Sequence, residues 1–135
     1  MMKNIILIGA GGHCKSCIDV IEKEKKFKII GLIDNKKGKI LNYKIIGNDT
    51  SLKKFGKIDK YALITVGQIN DYLKRDELFK LITKLNFKTP IIISPYSVVS
   101  NSSKIDKGSI IMHRSVVNSG VYIGKNCIIN TGAIV

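Results

Sequence analysis

The chain has 135 residues, 44% of them hydrophobic, and a formal net charge of +13. That length suits one ordinary domain or two small lobes. The charge comes from lysines spread through loops and helix faces, with only two arginines and no Lys-Arg-Lys run, so it reads as a solvated surface and argues against a nucleic-acid partner.

The first ten residues hold four consecutive aliphatics before a glycine, too few for a signal peptide, and no apolar run approaches a membrane span. Cys14, Cys17 and Cys127 form no even disulfide framework. Cys14 and Cys17 have C-x-x-C spacing without a second pair, so they read as reduced structural thiols of a cytoplasmic protein.

Residues 4–8 are an apolar run that ends at Gly9. Ala10, Gly11, Gly12 and His13 come next, and then a helical pattern to about Lys26. On that helix Ile18, Ile21 and Glu22, with Val20 beside them, are set to meet a sheet. Residues 27–33 read as the next strand, ending in Asp34. In such a β–loop–α–β unit the glycines let backbone approach a ligand. The helix start aims N–H groups and a positive dipole end at the loop, which suits a phosphate. Asp34 is placed to accept hydrogen bonds from a ribose or a base.

The dinucleotide fingerprint G-x-G-x-x-G is partly met: Gly9 and Gly11 fit, but Cys14 stands at the third place. A loop built only for helix–strand packing is the alternative. Further on, residues 44–47 read as an edge strand or turn, 50–55 as a short helix, and 61–66 as a buried strand ending at Gly67. Residues 71–85 read as an amphipathic helix with Leu78, Leu81, Ile82 and Leu85 on one face. Residues 88–93 read as a last strand running straight into the C-terminal segment. The lobe has room for one mononucleotide; NAD binding requires a second half that is missing.

From Ile93 a branched aliphatic recurs every sixth residue, at Val99, Ile105, Ile111, Val117, Ile123, Ile129 and Val135. Four places on from these stand Ser97, Ser103, Ser109, Ser115, Val121, Cys127 and Ala133, none charged. A period of six is the signature of a hexapeptide β-helix. One hexad cannot bury its aliphatic; stacked coils bury one another's. The spacing predicts an α/β Rossmann-like lobe with a small parallel sheet over 1–92, then the start of a left-handed parallel β-helix over 93–135. The handedness comes from the repeat class. Val135 opens a new hexad without a cap, so the sequence is read as a fragment, with a covering partner as the alternative.

The opening Ile-Ile-Leu-Ile-Gly-Ala-Gly-Gly-His, the Leu-Ile-Asp after the second strand, the Ile-Thr-Val-Gly in the middle and the hexads together resemble the bacterial sugar acetyltransferases. Among these are the sialic acid O-acetyltransferases and the UDP-4-amino-sugar N-acetyltransferases of surface-glycan pathways. The resemblance implies that the first lobe binds a nucleotide sugar or sialic-acid-like sugar, with Gly9, Gly11, Gly12, His13, Asp34 and Gly67 as site residues. It implies a homotrimer that binds acetyl-CoA as co-substrate between subunits, with no metal. It also implies a catalytic histidine after the segment 128–135, which places it past Val135. His113 lies four hexads earlier, on a different face, and reads as a solvent-facing or trimer-interface residue, a weak alternative base. Cys127 faces the tight core and is not read as a nucleophile. Two further readings stay open: a non-catalytic module that binds a nucleotide sugar and trimerises, and a small NAD-type domain.

Overall fold

The computed structural model describes residues 1–56 and 60–135. Its first part is a five-stranded sheet in the order β3-β4-β2-β1-β5, made of β1 (Lys3–Ile8), β2 (Phe27–Ile33), β3 (Lys39–Ile40), β4 (Tyr43–Gly47) and β5 (Tyr61–Ile64). β1 is interior, between β2 and β5, and runs parallel to both. Its residues Ile5–Ile8 are fully buried because both faces of the sheet are covered. The alternation along β1 divides the core. Ile5 and Leu7 pack under α1 (Gly12–Glu24), with Cys14, Cys17, Ile18 and Ile21. Ile6 and Ile8 pack under α2 (Leu73–Lys84), with Leu78, Ile82 and Leu52, the last from a 3₁₀ helix over Asp49–Lys54.

Several expectations are corrected here. The sheet is mixed, because β3 returns antiparallel to β4. β4 is therefore interior and β3 is the edge. α1 stops at Glu24, since Lys25 turns into the left-handed region at φ 61° and caps onto Ile21 O. Glu22 is exposed and accepts a hydrogen bond from the Tyr43 hydroxyl at 2.8 Å; Cys14 and Cys17 occupy the buried face with Ile18 and Ile21. β5 ends at Ile64, two residues early, and α2 begins at Leu73, whose N–H donates to Asp71 Oδ1. Residues 88–93 are not one strand: Lys88 makes a single bridge to Tyr61, and Pro90, which has no N–H, interrupts the ladder.

The second part is a run of two-residue strands: β6 (Ile92–Ile93), β7 (Val98–Val99), β8 (Lys104–Ile105), β9 (Ile110–Ile111), β10 (Val116–Val117), β11 (Tyr122–Ile123) and β12 (Ile128–Ile129). They pair in parallel with the strand three places on, giving stacks β6-β9-β12, β7-β10 and β8-β11. Ile111, Val117 and Ile123 are buried inside, with Ile93, Val99, Ile105 and Ile129 packed on them. The serines of the small position have a structural reason. Ser97, Ser103 and Ser115 each donate a hydroxyl to the carbonyl three residues back, at 2.6–2.8 Å, and tie the corner. Gly108, Arg114, Gly120, Asn126 and Gly132 all take positive φ, one in each corner from Gly108 onward, which explains the glycines and the asparagine there.

The two parts share a core. Ile92 and Ile110 point outward from their stack and pack into the α1 cluster. Glu24 Oε2 accepts the Ile93 N–H at 2.9 Å and clips the end of α1 to β6. Among the described residues, no helix is long and apolar enough to cross a membrane.

Candidate functional site

A cleft of about 1730 Å³ opens at the C-terminal ends of β1, β2 and β5. One wall is the glycine loop and Asp34. The second is the β5–α2 connection with one face of α2 along its length, and the third is the 125–130 segment of the strand stacks. The crevice beyond the carboxyl ends of parallel strands is where α/β sheets place ligands.

The glycines of the loop differ in purpose. Gly9 sits at φ 115°, and a Cβ there would meet Val66 Cγ2 at 2.5 Å, so the fold itself requires it. At Gly11 and Gly12 a Cβ would meet nothing within 4 Å. Neither packing nor a positive φ explains them. Gly11 is the N-cap residue of α1, which has no side-chain cap and no acidic residue in its first turn. Its first N–H groups and dipole end therefore face open space, ready for an anion.

Asp34 has a structural part beside the one expected from sequence. Its Oδ2 accepts the Ala10 N–H at 2.8 Å and its Oδ1 the Asn35 N–H at 2.7 Å, so the carboxylate first holds the loop in shape. Each oxygen keeps a lone pair for a ligand. Thr65, fully buried, donates to Gly9 O at 2.7 Å and fixes the other side of the turn.

Gly67 passes close over His13: a Cβ there would lie 3.3 Å from His13 Cβ. The His13 Nε2 lies 3.2 Å from Cys17 Sγ. Burial, and then the charge of Arg75, lower the His13 pKa from 6.5 to about 4. Burial likewise pushes the Cys14 thiol up to about 11 and raises that of Cys17, so both remain protonated and non-nucleophilic at pH 7. The unfolded chain takes up the histidine proton below about pH 6.5, whereas the folded chain resists it until about pH 4. The neutral ring thus contributes stability that is complete above pH 6.5 and is lost as pH falls toward 4, reduced by its partial exposure. The urea midpoint should drop over that window more steeply for the native chain than for His13→Gln. Parallel profiles would show that the fold does not hold the ring neutral.

Arg75 belongs to no motif of the sequence, yet it is central to the cleft. It is 2% exposed. Its Nη1 donates to Ile64 O at 3.2 Å and Val66 O at 2.6 Å, and its Nη2 to Asn126 O at 2.8 Å and Asn126 Oδ1 at 2.7 Å. Asn126 Nδ2 returns a bond to Arg75 O at 3.2 Å. No carboxylate among the described residues pairs with it. The guanidinium therefore joins the β5–α2 wall to the strand-stack wall and places an uncompensated positive charge beneath the cleft. The one sequence signal is its place on α2: Arg75 falls three residues before Leu78 and seven before Ile82, on the apolar stripe.

His113 is outside the cleft. Its Nδ1 lies 2.6 Å from Ser94 Oγ and its Nε2 2.8 Å from Asp19 Oδ2, with Tyr96 edge-on. At 21% side-chain exposure it is wedged between α1 and the stacks, which corrects the solvent-facing expectation. Among the described residues, no group of three or more His, Cys, Asp or Glu side chains could hold a metal ion.

A mixed α/β sheet with an open glycine loop, joined through its cleft to stacked short parallel strands, is the arrangement of the N-terminal part of sugar acetyltransferases. The chain belongs to the PglD N-terminal domain family, whose model matches residues 4–82. It is similar to a histidine-to-asparagine variant of perosamine N-acetyltransferase from Caulobacter crescentus in complex with CoA and GDP-perosamine. The identity is 26% and the TM-score 0.91, over 100% of this chain and 63% of that one. It is also similar to the acetyltransferase domain of PglB from Neisseria gonorrhoeae in complex with acetyl coenzyme A. Here the identity is 27% and the TM-score 0.90, over 100% of this chain and 65% of that one. The chain thus spans less than two thirds of either solved chain. Among curated proteins there is no significant match.

Proposed function

We propose that this chain binds a nucleotide-activated amino sugar in its cleft and serves acetyl transfer from acetyl-CoA to the sugar amine, in surface-glycan biosynthesis. The observation that carries this reading is the open, uncapped start of α1 at Gly11 and Gly12, facing a cleft whose far wall is the 125–130 segment. The α1 N–H groups take the diphosphate. Asp34 shapes the loop and accepts from the nucleoside. With Cys17 S–H donating to Nε2, His13 keeps its proton on Nδ1 and serves as a neutral donor. The relatives' GDP-perosamine favours a nucleotide amino sugar over a free sialic acid as acceptor.

We take residues 1–92 as the nucleotide-sugar lobe and 93–135 as the first coils of a left-handed β-helix. The outward ladder of Val98, Val116 and Ile134 on the β7-β10 stack supports contact between copies in a homotrimer, with acetyl-CoA between them. Three free thiols accord with a reducing, cytoplasmic setting.

In the transfer, the amine lone pair forms a bond to the thioester carbonyl carbon, the CoA thiolate leaves, and a base takes the amine proton. Neither histidine of this chain suits that base. His13 has too low a pKa, and His113 is engaged at both nitrogens away from the cleft. Calorimetry with UDP- and GDP-linked amino sugars should show binding that is at least about ten-fold weaker for the bare nucleoside. Equal affinity for nucleoside and diphosphate would defeat the reading. Thiol release from acetyl-CoA by this chain should run about 10²–10⁴-fold below that of an enzyme with a positioned base. Rapid turnover lost in His113→Ala would show that the base was misassigned.

A further inference from the structure

Six exposed lysines from four separate stretches of sequence, Lys3, Lys25, Lys26, Lys28, Lys60 and Lys88, meet at one end of the five-stranded sheet. Because β1, β2 and β5 run parallel, their N-terminal ends lie side by side. Lys3 is in register with Phe27, Asn4 with Lys28 and Ile5 with Tyr61, and Tyr61 bridges to Lys88. Backbone bonds tie the same end: Lys3 N–H to Lys26 O at 3.3 Å and Lys88 N–H to Lys60 O at 2.6 Å. The ammonium groups of Lys3 and Lys88 lie 5.3 and 5.7 Å from the Tyr61 ring centre. Among the described residues, the ion pair made by this group is that of Lys26 with Glu24, at 3.7 Å. Met2, half exposed, lies at the rim. The cleft opens at the opposite end of the same strands.

We propose that this lysine-bearing end docks on an anionic phospholipid surface, leaving the cleft open to solvent on the far side. The chemistry favours lipid over other polyanions. Lysine ammoniums are strongly hydrated point charges without the planar fork that specific phosphate or carboxylate pairing uses. The rings at this end, Phe27 and Tyr61, pack on each other at 5.3 Å and are not free to stack on bases. A diffuse negative surface needs only lysines clustered within a Debye length, whereas a protein interface needs a shaped, partly apolar core.

The test is co-sedimentation of the full chain with vesicles of phosphatidylcholine alone or of equimolar phosphatidylcholine and phosphatidylglycerol, at low and high salt. Binding is expected only to the mixed vesicles and only at low salt, each lysine contributing about five-fold. The triple variant Lys28→Glu, Lys60→Glu, Lys88→Glu should lose more than about ten-fold. A charge-matched triple elsewhere, Lys53→Glu, Lys54→Glu, Lys104→Glu, should keep most of the binding. All six positions are exposed, and circular dichroism checks that both variants fold. No binding to mixed vesicles overturns the proposal, as does equal loss in the two triples. So does retention on heparin without retention on vesicles.

Discussion

Arg75→Met is expected to destabilise the fold by about 3 kcal/mol. Two effects oppose each other. The guanidinium is buried without a carboxylate partner, so its removal relieves a desolvation penalty. Its removal also strips the donors from Val66 O and from both oxygens of Asn126. A fully buried acceptor left unpaired costs about 1–3 kcal/mol; these are part-buried and cost less each, but several are lost at once, so the loss wins. Methionine fills much of the stem's volume, which keeps cavity formation out of the comparison. The denaturant midpoint should fall at constant m-value. An unchanged midpoint would mean that desolvation cancels the bonds and that the junction between α2 and the stacks is held by packing alone. Asn126→Ala should reproduce part of the loss and be less than additive with Arg75→Met, since the two residues share their bonds.

Gly12→Val should reduce nucleotide-sugar affinity by at least about ten-fold, and by about a hundred-fold if the diphosphate touches the loop backbone. Stability should stay within about 0.5 kcal/mol, because an added Cβ meets nothing within 4 Å and the backbone there needs no positive φ. Gly9→Val is the contrasting variant: φ 115° and the contact with Val66 make it a folding defect. The pair separates a glycine kept for the fold from one kept for a ligand. Nucleotide-sugar calorimetry together with urea titration measures both quantities. Equal affinity in the native chain and Gly12→Val would remove the α1 start from the site.

The parts of this protein that the sequence determined are those written in local periods. The six-residue recurrence of aliphatics is a property of neighbours along the chain, and it placed every strand of the three stacks in its register. The glycine loop was legible for the same reason, since a sharp strand-to-helix turn depends on a few consecutive residues. Only the tertiary structure decided whatever depends on residues distant in sequence. The sequence suggested Asp34 as a ligand contact, but that it holds Ala10 is a consequence of β2 lying beside β1. Residues 44–47 form an interior strand only because β3 folds back onto them. Arg75 reads locally as a charged residue on a helix, and its function appears only where α2 meets Asn126, 51 positions on. The lysines scattered along the chain become one charged end because parallel strands bring their starts together, and no window of sequence contains that information.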